Sequence, residues 1–395
     1  MTSLADTRQA SDAPSTAAAA DAMPRVGFQR EVVCLLGLPF DVIDVAGAVD
    51  HVRRAAAEGA RCFVSTPNLN FAMAARGDAA FRDSVLHSDL NLADGMPLVW
   101  IARLLRLPIR ERVSGAGLFE RLVAHPAPPV RVYFFGGPPG AAQAASDRVN
   151  AQASGVRCVG FDSVGFGSLD DISTDEHLAR INRSGAQFVI VALGAQKGQA
   201  WIERNRPHLT APLISHLGAV VNFAAGSLER APERAQAWGL EWLWRIKEQP
   251  ELWRRYWRDG WQFMFLLATR VLPYAALIRW RAPAVPGADG VAVSVVESPQ
   301  GLTVTLKGSD WTRSTLQGLR DLLTQLSATD VQRLCIVLEG VRWVDSAFVG
   351  LMLLARGRFG GTGRFVLQGA SPRVARIFRF NGAEFLLDSP STPAL

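Results

Sequence analysis

The sequence predicts an α/β fold: a mostly parallel, doubly covered sheet followed by a second, smaller α/β unit. Three observations carry this. Short apolar runs alternate with helical stretches across residues 29–217, and such alternation with short connections argues a parallel sheet. The runs are continuously apolar rather than alternating, as strands covered on both faces must be. A Pro/Gly/Ala stretch, APAVPGADG at 282–290, then separates this series from a further strand-helix series at 291–388. The chain has 395 residues, more than one core usually takes.

The elements follow in order. Val32–Leu38 reads as a first strand with Pro39 in the loop after it, then a helix through Ala46–Glu58 that Gly59 stops. A strand at 61–65 runs into the polar turn Thr66-Pro67-Asn68 and a helical segment. A second short stretch ends in Asp94-Gly95, before a helix that begins at Met96-Pro97. Val130–Phe135 is a strand, Gly136–Gly140 a turn, 141–153 a helix and Val156–Gly160 a strand. Helix Thr174–Ser184, strand Phe188–Leu193, helix Gly198–Asn205 and strand Leu213–Leu217 complete the series. In the second unit, strands fit Val291–Val296, Gly301–Leu306, Leu334–Glu339 and Arg364–Leu367. Helices fit Ser314–Ser327, Ala347–Gly357 and a stretch near Pro372–Asn381.

Composition narrows the function. Hydrophobic residues make up 49% and charged residues 20%, which marks a globular chain. A net charge of +6 favours an anionic partner. Cys34, Cys62, Cys158 and Cys335 are scattered in or beside apolar runs, with neither metal spacing nor a disulfide framework, so they read as buried reduced thiols. Residues 1–28 are rich in Ala, Ser, Thr and Asp and read as a disordered tail. Seven of the eleven tryptophans fall within 238–280, and 246–281 carries seven Lys/Arg against three Asp/Glu. Arginine interleaved with tryptophan suits an anionic membrane interface. Gly260–Ile278 is apolar enough to span a bilayer, but Arg270 and Pro273 lie inside it. A central arginine is costly in hydrocarbon, so an interfacial segment is expected. Without an RNA-binding signature or a zinc knuckle, nucleic acid is not expected as a partner.

Several residues are candidates for chemistry. Two polar loops, each after a strand, lie side by side if both strands share one sheet, and ligands bind at the carboxyl ends of such strands. Asp94 is a general base for a sugar hydroxyl or a turn aspartate capping the next helix. Thr66 and Asn68 orient a sugar or diphosphate, or cap a helix. Gly136 and Gly137 open a helix and cradle a diphosphate, or make a tight connection. Lys197 meets a phosphate, or is a solvated loop lysine. Arg230, Glu241, Arg245, Arg254 and Arg255 form a cation-rich, aromatic cluster, and arginine forks bind diphosphate bidentately.

Seven blocks in one order carry a resemblance: TPNLNF (66–71), LADGMPLVW (92–100), ERVSGAG (111–117), VYFFGGPPGAAQAA (132–145), VALGAQKGQAWI (191–202), HLGAVVNFAAGSLERAP (216–232) and GLEWLWRIKEQPELWRRY (239–256). With these, residues 30–258 resemble the WecG/TagA/CpsF family of bacterial glycosyltransferases. The resemblance implies a Rossmann-like glycosyltransferase domain over 29–245 and a basic, Trp-rich segment at 246–281 that closes the site and approaches the membrane. It implies inverting transfer of an N-acetylmannosamine-type sugar from a UDP-sugar donor to a polyprenyl-diphosphate-linked acceptor. The Asp170-Asp171 pair lies in an expected loop with no helper residue, so no metal or other cofactor is expected. Asp94 takes the catalytic base position and Thr66 a place beside it. Asn68, Arg112, Gly136, Gly137, Lys197, Arg230, Glu241, Arg245, Arg254 and Arg255 form the substrate-binding set. The chain departs from the family pattern at Gly198 and Gln199, where Gln and Glu are usual, at Gly117 in place of Asp, and at Val221-Asn222 in place of Phe-Asp.

Residues 291–388 resemble a STAS domain through WVDSAFVGLMLL at 343–354. The resemblance implies a protein partner and a phosphoryl acceptor at Ser346. The usual Ser/Thr-Gly after that serine is Ala347-Phe348 here, so Ser346 is alternatively an N-cap. The expected whole is a peripheral enzyme on the cytoplasmic face of the membrane. The alternative, motivated by the altered 194–199 loop, is a catalytically weak scaffold that senses sugar nucleotide and sets polysaccharide output through its STAS half.

Overall fold

A computed structural model describes residues 27–387 apart from 126–127, 152–153, 166, 228–231, 233–240, 249–252, 282–290, 300 and 361–362. The expected linker at 282–290, most of the expected N-terminal tail and Arg230 lie outside the described residues, as do the side chains of Glu241, Arg245 and Arg255.

The first segment departs from expectation. Val32–Leu38 is not one strand of the large sheet. It is an antiparallel hairpin, β1 (Val32–Leu35) and β2 (Leu38–Asp41), with Pro39 inside β2 opposite Cys34. Leu36 and Gly37 hold φ of 52° and 89°, the two-residue turn whose twist suits a hairpin. The apolar run concealed that turn because a leucine stands where glycine or asparagine is usual.

The parallel sheet follows as expected. Its strands are β3 (Cys62–Ser65), β4 (Leu90–Asn91), β5 (Val130–Gly136), β6 (Val156–Asp162), β7 (Phe188–Ala192) and β8 (Leu213–His216). They lie in the order β4-β3-β8-β7-β5-β6, and every neighbouring pair is parallel. Helices α1 (Val45–Glu58), α5 (Gly115–Ala124), α6 (Ala141–Asn150) and α9 (Gly218–Ala225) cover one face. Helices α7 (Asp175–Arg183) and α8 (Ala195–Asn205) cover the other. Three more helices, α2 (Leu69–Gly77), α3 (Ala79–Leu86) and α4 (Met96–Leu104), turn outward to a third core.

That third core is shared with the second unit. A four-stranded mixed sheet there has the order β14 (Phe365–Gln368), β12 (Leu334–Val337), β10 (Gly301–Lys307), β9 (Ala292–Ser298). Two-residue strands β11 (Asp310–Trp311) and β13 (Trp343–Val344) pair beside it. Its central helix (Ser346–Phe359) is buried along almost its whole length, packed by the hairpin and by Gln317–Ser327, with Phe348 edge-on to Phe378 of Pro372–Phe380. Val33, Leu35 and Phe40 of the hairpin, Phe71 and Phe81 of α2 and α3, and Phe348, Leu351 and Leu354 of the second unit form one cluster.

A long helical run joins the halves: α11 (Trp253–Leu266), a π turn (Leu267–Val271) and α12 (Leu272–Arg281), after the shorter α10 (Glu241–Glu248). The π turn precedes Pro273, which has no N–H to donate and crowds the carbonyl one turn earlier. Leu266, Val271, Tyr274 and Ala275 are buried against the body. Arg270, the residue that argued against a membrane span, makes a two-pronged contact with Glu384 at 2.9 and 2.6 Å.

Candidate active site at the carboxyl edge of the parallel sheet

The two polar loops are adjacent and stitched together by backbone. The Leu92 amide donates to the Ser65 carbonyl at 2.9 Å and the Asp94 amide to the Pro67 carbonyl at 3.0 Å. A third loop joins them, with the Val113 amide donating to the Ala93 carbonyl at 2.9 Å. Asp94, Thr66 and Asn68 therefore share one floor, and Arg112 lies next to it in the chain.

Local roles separate these residues. Asn68 is the N-cap of α2, its side-chain oxygen accepting from the Phe71 amide at 3.1 Å. Asp94 is not a cap. The capping residue of α4 is Gly95, with φ of 150°, and the Leu98 amide donates to its carbonyl at 3.2 Å. A half-buried carboxylate thus stands beyond a strand end, one residue before the N-cap of the helix that follows. Thr66 is buried, its hydroxyl 3.6 Å from where a Cβ on Gly115 would fall. Gly115 is required by a different neighbour: a Cβ there would fall 2.5 Å from Leu217 Cδ2.

While α2 and α5 have side-chain caps in Asn68 and Ser114, four other helices have glycine or apolar N-caps: Gly95 (α4), Gly140 (α6), Gly194 (α8) and Leu217 (α9). With no side-chain oxygen to fill them, first-turn amides are left for an anionic ligand. The Gly136-Gly137 turn is built otherwise. The Gly137 amide donates to the Ala192 carbonyl at 2.8 Å, and a Cβ on Gly136 would lie 2.7 Å from that oxygen. This is the tight connection, with the Gly137 donor already used. Lys197 bonds to the Gly167 carbonyl, on the α8 side and committed to a loop.

The altered 194–199 loop has a physical account. Gly198 faces His216, and a Cβ there would fall 2.2 Å from the imidazole Cδ2. Any side chain at 198 would displace the ring. Gln199 is buried and donates to Ser65 Oγ at 2.9 Å, which in turn meets Ser88 Oγ at 2.7 Å. His216 Nε2, Gln199 Oε1 and both side-chain polar atoms of Asn91 are buried without a partner among the described residues. Ser65 pairs with Asn91 across β3 and β4, so this polar layer lies directly under the Asp94 floor. Buried polar atoms are normally satisfied by protein, water or ligand. Burial lowers the His216 pKa to about 4 and keeps the ring neutral. The sequence marks Gln199 as a departure from the family pattern but gives no role to His216 or Asn91. A histidine closing the otherwise small and apolar strand Leu213–His216 was the available signal.

The basic helical run borders the site. Asn70 Nδ2 donates to the buried Asp259 at 3.1 Å, which lays α11 on α2 two residues beyond Asn68. Arg254 is exposed, its guanidinium 5.8 Å from the Trp253 ring centroid. Far from this edge, Ser346 is 2% exposed and donates to the Cys34 carbonyl of the hairpin at 2.6 Å. The N-cap there is Asp345, which accepts from the Phe348 amide at 2.9 Å; the capping alternative for Ser346 is thereby corrected. Among the described residues no three His, Cys, Asp or Glu side chains converge as a metal requires.

Comparison with known proteins agrees with this geometry. Residues 33–276 match the profile of the "Glycosyl transferase WecG/TagA/CpsF family", and residues 293–388 match that of the "Mlab, STAS domain". A relative from Bacillus spizizenii, named N-acetylglucosaminyldiphosphoundecaprenol N-acetyl-beta-D-mannosaminyltransferase, is 26% identical over 194 residues, covering 49% of this chain and 74% of the relative. The first match spans every strand of the parallel sheet, all three stitched loops and the helical run as far as 276. The chain therefore belongs to the WecG/TagA/CpsF family of glycosyltransferases, with a STAS domain fused behind the catalytic unit.

Proposed function

We propose that the protein transfers an N-acetylhexosamine, of the N-acetylmannosamine type, from a UDP-sugar to a polyprenyl-diphosphate-linked sugar, with inversion and without a divalent metal. The observation that carries this is Asp94: a half-buried carboxylate at the carboxyl edge of a parallel sheet, outside the helix cap and braced by two neighbouring loops. The name of the Bacillus spizizenii relative supports the substrate class.

In this reading Asp94 takes the proton of the acceptor hydroxyl as that oxygen attacks the sugar C1 from the face opposite UDP. The C1–O bond to the diphosphate breaks, and the electron pair leaves with UDP. First-turn amides of α8 and α9 and the arginines of 230–255 stabilise the departing charge. The neutral His216 ring and the Gln199 amide line the layer beneath, where a charged imidazole is disfavoured.

The acceptor is lipid-linked, and the long helix suits a membrane surface. Trp257 and Trp261 are each 74% exposed and Trp280 is 86% exposed. Trp257, Trp261, Met264, Phe265 and Leu272 recur on one face, while the opposite face is buried on the body. An 18-residue window within Trp257–Trp280 reaches a mean hydropathy of 1.4, yet its Arg270 is engaged by Glu384. An interfacial helix keeps that pair intact, with the enzyme peripheral on the cytoplasmic face.

The test is UDP release from a panel of UDP-sugars, with a polyprenyl-diphosphate GlcNAc acceptor analogue in anionic vesicles, with and without EDTA. Turnover with a UDP-N-acetylhexosamine, dependent on vesicles and indifferent to EDTA, is expected. No release above background from any donor overturns the transferase reading, and loss in EDTA overturns its metal independence.

A further inference from the structure

The STAS face that carries Asp345 and Ser346 is covered by the chain's own hairpin. Besides the bond from Ser346 to Cys34, Arg320 is buried and donates to the Phe28 carbonyl at 3.1 Å and to that of Arg30. Gln29 donates to Asp321 at 2.8 Å, and Arg313 pairs with Glu31. Four glycines permit the fit. A Cβ on Gly350 would lie 3.1 Å from the Val33 carbonyl carbon, and one on Gly357 would lie 2.4 Å from the Leu86 oxygen. Gly37 and Gly382 approach so closely that a Cβ on Gly37 would fall 2.6 Å from the Gly382 oxygen. Mid-helix glycine disfavours a helix, so Gly350 and Gly357 serve close approach to the first unit.

The same hairpin holds the strand that leads to Asp94. Asp41, at the end of β2, is buried and accepts from the Asn91 amide at 2.7 Å. It also pairs with Arg30 at 3.1 Å. Arg30 in turn donates to the Ser88 carbonyl at 2.9 Å and to the Asp89 carbonyl. Both ends of the short strand β4 are thus gripped by the hairpin, and Asp94 stands three residues beyond Asn91. A continuous set of contacts runs from Ser346 and Arg320 through the hairpin to Asp41 and on to the Asp94 loop.

We propose that the STAS domain takes its own chain's hairpin as partner, and that Asp41 is a positioning residue through which the docked STAS domain holds Asp94 in place. The catalytic part of this rests on Asp94 being the base; the mechanical part does not. While docked, Ser346 Oγ is covered by the hairpin, so phosphoryl transfer to it requires undocking first. The STAS domain is then a built-in brace for the active-site floor.

The experiment uses the full chain and two readouts. Gly350→Leu drives a side chain into the Val33–Cys34 backbone, and Asp41→Asn weakens the hold on Asn91. Amide hydrogen exchange at Asn91, Leu92 and Asp94 is expected to accelerate about tenfold or more in both variants, with Val132–Phe135 of β5 unchanged. UDP release is expected to fall on the order of tenfold in kcat with the donor KM little changed, the signature of a misplaced group rather than lost binding. Asp41→Glu, which keeps the carboxylate, is expected to recover part of the kcat. If hairpin amides exchange faster in Gly350→Leu while Asn91–Asp94 stay protected, the coupling is wrong. Should Gly350→Leu expose β5 as well, Asp41→Asn and Ser346→Ala carry the test by the same criterion. Faster exchange at Asn91–Asp94 in a chain that turns over no donor leaves the brace standing and overturns the transferase reading instead.

Discussion

Asn68 and Asp94 occupy equivalent places in the fold and do opposite things. Each ends a loop at the carboxyl edge of the parallel sheet, and each precedes an outward helix. Asn68 uses its side chain on the Phe71 amide and so starts α2. Asp94 leaves that work to Gly95, whose positive φ a side chain would resist. A strand-end polar residue is spent on local structure unless the chain supplies a substitute cap, and the glycine after Asp94 is that substitute. The N-cap position is thereby filled by a residue other than the carboxylate, which stands at the spot where a substrate hydroxyl would arrive.

Three measurements break or sharpen this contrast. The largest effect is expected at Asp94. Asp94→Asn keeps the shape and removes the base, so turnover should drop about 10³-fold, which is about 4 kcal/mol of barrier. The urea unfolding midpoint should move little, because the isosteric amide keeps the shape and the N-cap residue of α4 is Gly95. Turnover close to wild type in this variant would erase the distinction between the two loops.

Next comes the layer beneath. His216 binds its proton only near pH 4 in the folded chain, against an ordinary value of about 6.5 when unfolded. Between those values the unfolded chain holds more protons, so stability falls as pH drops from 6.5 towards 4. The contribution is about 3 kcal/mol. Asp89, which burial raises to about 6, acts in the opposite sense over much the same window. The comparison must therefore be made against His216→Phe, which keeps a ring but cannot titrate. The difference in unfolding free energy between the two proteins should shrink in favour of the variant as pH falls. A pH-independent difference would mean that His216 is charged or solvated in the fold.

The smallest effect is expected at Asn68. Asn68→Ala removes a cap and should cost about 1 kcal/mol of stability, read as a lower urea midpoint at unchanged slope. If Asn68→Ala instead abolishes turnover at full stability, then Asn68 is the chemical group and the roles assigned to the two loops need exchanging.

Much of this was legible from the residues in order. Strands β3, β5, β7 and β8 are largely apolar, buried runs, and their type survives any context because both faces must be buried. The seven blocks marked the family, and WVDSAFVGLMLL marked the STAS domain behind it. The hairpin was not legible. Val32–Leu38 has the composition of a core strand, and only the positive φ of Leu36 and Gly37 turns it back on itself. Nor was the exchange at 198 and 216. Gly198 looked like a lost side chain, whereas the fold shows an imidazole in the space a side chain would need. Residues 18 positions apart carry no sign of that contact.

The sequence by itself determined element types, the family and the presence of two units, because these depend on local periodicity and on ordered motifs. Which polar side chains are spent on caps, which are buried unpaired under Asp94, and that the STAS domain grips the hairpin leading to that aspartate were decided by the tertiary structure. Such roles depend on distances between segments roughly 50 to 300 residues apart, and a hydrogen bond is made or lost within a fraction of an ångström.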